Sequence, residues 1–336
     1  MSTEQTLTLQ NQAGLRIQVM DEGATWLSCV VPLPDGTRRE LLLGCADAAA
    51  YRAQTAYLGA IVGRYANRID AARFTLDGHE HRLQANEGVN QLHGGAGGFD
   101  RCRWTVAAAS AQEAVFTLVS PDGDQGFPGE VHATVRYTLG DDLSLTMAFE
   151  ASTTRACPVC FTSHAYFNLD GGDPGAPDVR GQTLQLRAAH YLPVRDDLIP
   201  TGERAPVEGT GFDFRQPRRI GEFLHHDAQQ RASKGYDHCW WLDDECAEGR
   251  LPAAELQSAD GRVTMQLSTD LPALQFYSGN YLAGTPARTG VYGVHGGLAL
   301  EPQFAPDSPN HPEWPDCILR PGQVYRRFVR LRFVPR

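Results

Sequence analysis

Among the residues able to do chemistry, one histidine stands in unusual company. His164 lies in Phe161-Thr162-Ser163-His164-Ala165-Tyr166-Phe167-Asn168-Leu169-Asp170-Gly171, a strand-like run of aromatic residues ending at a glycine turn. Imidazole passes protons near neutral pH, and flat aromatic rings suit a ligand ring with apolar faces and a polar rim. The same run also reads as a core strand with a hydrogen-bonded histidine. Gly59-Ala60-Ile61-Val62-Gly63-Arg64-Tyr65-Ala66-Asn67-Arg68-Ile69 sets two arginines and an asparagine between apolar residues. Its glycines are not in dinucleotide-binding spacing, so these arginines either grip hydroxyls or an oxyanion, or are paired beneath a loop. His93 precedes Gly94-Gly95, whose lack of side chains permits close approach of a ligand to backbone. Glu301 follows the apolar run Gly297-Leu298-Ala299-Leu300, and is either an edge charge or a carboxylate aimed into a cavity.

Cys157-Pro158-Val159-Cys160 has redox or zinc spacing, but a structural zinc needs two further ligands. No second such pair exists, and the segment runs into a strand-like stretch. The eight cysteines, scattered through 336 residues, therefore read as free thiols.

The elements that must position these residues are strands. Period-two alternation recurs at 7–10, 15–19, 114–119, 133–139, 143–147, 183–186, 262–267 and 325–333. Asp-Gly pairs at 35–36, 77–78, 122–123 and 260–261 supply hairpin turns. Helical candidates are short: 47–53 and 220–225. Alternation continues without a linker, so the expectation is a single all-β domain over 1–336, a large antiparallel sandwich of two sheets with few short helices.

Bulk properties narrow the partners. A net charge of −10 argues against a nucleic-acid backbone or an anionic membrane. No stretch approaches the 18 or so apolar residues that a membrane-spanning helix needs. The first residues, Met1-Ser2-Thr3-Glu4-Gln5-Thr6-Leu7, have neither the basic nor the apolar region of a secretory signal. The expectation is a cytoplasmic protein, monomer or homodimer, with no nucleic-acid or membrane partner.

In order along the chain stand GAIVGRYANRI (59–69), NQLHGGAGGFD (90–100), DGDQGFPG (122–129), SHAYFNLDG (163–171), KGYDH (234–238), LPALQFYSGN (271–280) and LALEPQFAPDSPNHPEWPDCILRPGQVY (298–325). Together they resemble the aldose 1-epimerase, or galactose mutarotase, family. The resemblance implies a β-sandwich of the galactose-mutarotase type with an open cleft for a small-molecule aldose, no metal and no cofactor. It implies Glu301 as general base and His164 as general acid. Asn67, Arg68, His93, Tyr166, Asp237 and Gln275 fall where the family contacts sugar. By alternation, Tyr166 is expected to line the cleft and Phe167 to pack inside.

The implied reaction interconverts α and β anomers of free aldoses such as D-galactose and D-glucose. One proton leaves the C1 hydroxyl, one reaches the ring oxygen O5, C1 rotates about C1–C2, and the ring recloses. Alternatives are a hexose-6-phosphate 1-epimerase of the same fold, which Arg64 and Arg68 leave open; a glycosidase using Asp237 and Glu301; and a non-catalytic sugar-binding sandwich. The chain departs from the family pattern at Cys160, Ser163, Ala165 and Pro302, which bears on sugar preference more than on the reaction.

Overall fold

The computed structural model describes residues 4–336. Antiparallel strands dominate it. A nine-stranded sheet runs, in spatial order, through Thr105–Ala109, Glu113–Ser120, Val131–Gly140, Ser144–Thr153, Tyr325–Pro335, Val263–Thr269, Ala254–Gln257, Thr183–Leu186 and Arg218–Arg219. A six-stranded sheet runs through Tyr166–Phe167, Leu298–Gln303, Ala273–Tyr277, Asp237–Trp241, His190–Leu192 and Ala205–Pro206. The sheets face each other where Met147, Val329 and Leu331 of the first meet Phe167, Leu300 and Pro302 of the second. A four-stranded N-terminal sheet (Thr6–Gln10, Arg16–Met20, Trp26–Pro32, Arg38–Glu40) adds to the sandwich. It joins the core through Trp26, edge-on to Phe167 at 5.8 Å between ring centroids.

The alternating runs are strands because one face of each is buried. Val131–Gly140 hides Val131, Ala133, Val135, Tyr137 and Leu139 while the residues between them are more accessible. Asp77-Gly78 closes the hairpin from Arg73–Leu76 to His79–Arg82, with φ of 51° and 80° at its two residues, the left-handed pair that a tight primed turn demands.

Two local expectations fail. Residues 220–225 form a turn, and the nearby helix is Ala228–Ala232. Its start is set by Asp227, which accepts from Gln229 N, while the Gln230 side chain reaches back to Asp227 N; that reciprocal cap outweighs the propensity of the preceding residues. The other helix forms as expected, Ala48–Ala53 capped by Asp47. The run 161–171 is also not one strand. Thr162–Ser163 pairs with Ile61–Val62, and Tyr166–Phe167 pairs with Leu298–Ala299. His164 sits at the break, its backbone bonded to Ala60 O and Gly59 N.

Arg64 takes the structural role. It is buried, with Nη1 donating to Pro128 O (3.1 Å) and Gly129 O (2.8 Å), and Nη2 donating to Ser120 O (3.2 Å), Ser120 Oγ (2.6 Å) and Pro121 O (3.0 Å). One motif thus clamps another, the turn at 122–129. Arg64→Met is expected to destabilise by about 3 kcal/mol, since several buried carbonyls lose their donor. Denaturant unfolding checks this, with activity per folded molecule retained; an unchanged midpoint would contradict it.

Candidate active site

Cross-strand register builds the floor of a cleft. On the six-stranded sheet, Tyr166, Ala299, Tyr277 and Asp237 form one row, and Glu301, Gln275 and Cys239 form the next. Residues two apart on a strand share a face, so both rows point the same way. The intervening residues, Phe167, Leu298, Leu300, Phe276, Leu274 and Trp240, enter the core. Tyr166 therefore lines the cleft and Phe167 packs inside. Loops supply the walls, leaving about 310 Å³.

Asn67, Arg68, His93, His164, Tyr166, Asp237 and Glu301 all line this cleft. Gln275 does not; it stands behind Asp237, donating Nε2–H to Asp237 Oδ1 at 2.7 Å. The lining also includes Tyr57, Glu87, Tyr277 and Tyr281, none singled out from sequence. Tyr277 lies two positions after Gln275 on the same face, so alternation could have found it. Tyr57 and Glu87 come from loops with no periodic signal.

The centre brings titratable groups able to exchange protons close together. His164 Nε2 stands 3.7 Å from Glu301 Oε1, and the ligand atoms of His93, His164 and Glu301 lie within 4.8 Å of one another. Burial, with Asp237 nearby and Arg68 partly offsetting, raises the Glu301 carboxyl to about 8. Burial lowers the His164 imidazole to about 4. Desolvation thus wins over any stabilisation of imidazolium by the carboxylate, and burial favours the neutral form of each group. The His164 ring lies between Tyr57 (5.7 Å, 27°) and Tyr166 (5.0 Å, 32°), which fixes its plane.

His93 has a defined tautomer. Its Nδ1 accepts the backbone N–H of Asn67 at 3.1 Å, and its own backbone N–H donates to Asn67 O. Burial, His164 and Arg68 hold it well below the usual histidine range, so it is neutral and its one proton is on Nε2. With Nδ1 accepting a hydrogen bond and Nε2 carrying the proton, this ring presents a donor to the cleft and no free lone pair for a metal ion. Two histidines and a carboxylate in this cleft therefore fit hydroxyl recognition rather than a metal ion.

Strained backbone holds the walls. Tyr57, Asn67, His93 and Leu198 all have positive φ, between 52° and 67°, and all line the cleft; such residues persist where their surroundings over-determine them. Gly94 serves packing rather than a ligand: with φ of 87°, a Cβ there would sit 1.9 Å from Gly63 O. Arg68 is held by Glu87 through Nε (2.6 Å) and Nη2 (2.8 Å). Its carbonyl accepts Asp307 N–H at 2.7 Å, tying the loop after Glu301 to the Arg68 wall. Pro302 lies past the two residues of its strand that pair with Tyr166–Phe167, at a strand end where a missing N–H is tolerated. All eight cysteines are free.

The fold is an antiparallel β-sandwich in which His93, His164 and Glu301 converge in a cleft that Tyr57, Tyr166, Tyr277 and Tyr281 also line. The aldose 1-epimerase family profile matches residues 5–332. The chain is 49% identical to the aldose 1-epimerase of Escherichia coli K12 over 98% of this chain and 94% of that one. It is 40% identical to the galactose mutarotase of Rattus norvegicus, over 95% and 91%. Solved structures agree: an aldose epimerase homologue from C. elegans (TM-score 0.90, 27% identity, 99% of both chains) and a galactose 1-epimerase from Lactobacillus acidophilus NCFM (0.86, 28%, 99% of both). The chain belongs to the aldose 1-epimerase family, and its reaction is the interconversion of α and β anomers of free aldoses.

Proposed function

We propose that Glu301 and His164 act as one acid–base pair sharing a single proton through the reaction. The observation carrying this is their convergence with His93 within 4.8 Å. The C1 hydroxyl and the ring oxygen O5 are bonded to the same carbon, so an acid and a base serving them have to be neighbours.

Ring opening starts with Glu301 as carboxylate and His164 as imidazolium. Glu301 takes the O1 proton, C1=O1 forms, the C1–O5 bond breaks, and His164 Nε2 gives its proton to O5. The pair is then carboxylic acid and neutral imidazole, the forms that burial favours. After rotation about C1–C2, reclosure runs the same transfers backwards. Each positioned transfer contributes about 10²–10⁴-fold. In this reading His93 Nε2–H stabilises charge developing on oxygen; Asn67, Arg68 and Asp237 hold the remaining hydroxyls, with Tyr166 beneath the ring.

Free aldoses are the proposed substrates, D-galactose among them following the relatives' names, and D-glucose as its C4 epimer. A phosphorylated sugar is disfavoured because Arg68, already paired with Glu87, shares the lining with Asp237 and Glu301. A glycosidase reading would leave both histidines without a task. Eight free thiols favour a reducing, cytoplasmic setting, and no helix among the described residues is long and apolar enough to cross a membrane.

The one-proton pair predicts a specific pH profile. Below about 4 the pair gains a second proton and loses its base; above about 8 it loses its only proton and O5 has no acid. kcat/KM is expected to be flat between these limits and to fall on both sides. Polarimetry across pH, corrected for the spontaneous rate, checks this; activity that rises through pH 8 would contradict the shared proton.

A further inference from the structure

Two buried oxygens on the cleft-facing side of the sheet have no donor. Gln275 and Glu301 are direct cross-strand partners, with Cys239 on the far side of Gln275. The Gln275 amide is oriented by Asp237, whose Oδ1 takes the Nε2–H at 2.7 Å. Its Oε1 is then left buried and unpartnered, and so is Oε2 of its cross-strand partner Glu301. Two acceptors with no donor would each cost free energy in a dry interior. Placing one proton on Glu301 Oε2 turns that oxygen into a donor and serves both.

We infer that Gln275 is a positioning residue: its Oε1 accepts the O–H of protonated Glu301, while its Nε2–H holds Asp237. The amide thus links the carboxyl that reacts at C1 to the carboxylate that grips the sugar. This deepens the one-proton reading above and, for its kinetic consequence, rests on it. A hydrogen bond to the neutral form of an acid disfavours its ionisation, so Gln275 helps keep the pair's single proton up to higher pH. The other groups facing Glu301 are His93, His164, Tyr166, Asp237 and Arg68 in the cleft, with the thiols of Cys160 and Cys239 also near. None of them supplies a hydrogen bond to Glu301 Oε2.

Gln275→Met separates this role from sugar contact. Methionine is apolar and of similar length, so by desolvation alone it would leave the Glu301 titration in place or move it up. Loss of the acceptor moves it down, by about one pH unit. The Glu301 carboxyl can be followed directly by carbon-13 NMR of glutamate-labelled protein, its resonance assigned by its disappearance in Glu301→Gln. Because Gln275→Met also frees Asp237, the comparison is repeated in an Asp237→Asn background, where the downward shift is expected to persist. The alkaline limb of kcat/KM should move down with it.

A Glu301 titration that stays put or rises in Gln275→Met, or a shift that vanishes in Asp237→Asn, overturns the hydrogen bond. A shift in the NMR titration with an unmoved kinetic limb would leave the hydrogen bond standing and reject the shared-proton mechanism instead. The two failures are therefore distinguishable.

Discussion

Glu301→Gln is expected to lower kcat/KM for anomer interconversion by about 10²–10⁴-fold, because one positioned proton transfer is removed. Glutamine keeps the size and the hydrogen-bonding shape of the side chain, so the loss reads the proton and not the packing. Glu301 is 2% exposed, on the strand that lies between Phe167's and Gln275's; a neutral amide there avoids the cost of neutralising a carboxylate on folding. The variant should therefore be at least as stable as wild type. Polarimetric kcat/KM and thermal unfolding, measured on the same preparation, give both numbers. Retained activity would remove Glu301 from the role of base.

His164→Asn carries the second large effect, again about 10²–10⁴-fold. The imidazole is nearly enclosed, set between Tyr57 and Tyr166 and in reach of Glu301. Asparagine can still donate a hydrogen bond but cannot exchange a proton with O5. The residual rate should lose the acidic limb near pH 4, since that limb belongs to His164. His93 does not substitute for it: with Nδ1 committed to the Asn67 backbone, His93 offers a fixed N–H. A variant with wild-type rate and an unmoved acidic limb would reassign the acid to another residue.

Much of this arrangement is legible in the amino-acid order. Alternation locates the long strands, and it separates Tyr166 from Phe167 because consecutive strand residues must face opposite ways. The same rule places 237, 275, 277, 299 and 301 on one face once their strands are aligned. Register itself is not legible locally. That Gln275 lies beside Glu301 depends on which residues pair across the sheet, and a slip of one would send every side chain to the other face.

Other features needed the fold for related reasons. The break at His164 arises because Thr162–Ser163 and Tyr166–Phe167 find different partners, a choice made by segments far away in sequence. Arg64 and Arg68 look alike in the sequence, four residues apart. One is consumed by the carbonyls at 120, 121, 128 and 129; the other reaches the cleft through Glu87. The His93 tautomer depends on a backbone N–H 26 positions away. The protonation of Glu301 and His164 is a matter of burial, which composition cannot state.

The most direct test of the central claim is polarimetry of freshly dissolved α-D-galactose with wild type, Glu301→Gln, His164→Asn and the double variant at equal protein concentration. If one proton is shared by one pair, wild type accelerates mutarotation and each single variant falls towards the spontaneous rate. The double variant then loses little more than the worse single, as residues acting as a unit do. A Glu301→Gln protein with the wild-type rate, or a double-variant loss equal to the product of the two single losses, would contradict it.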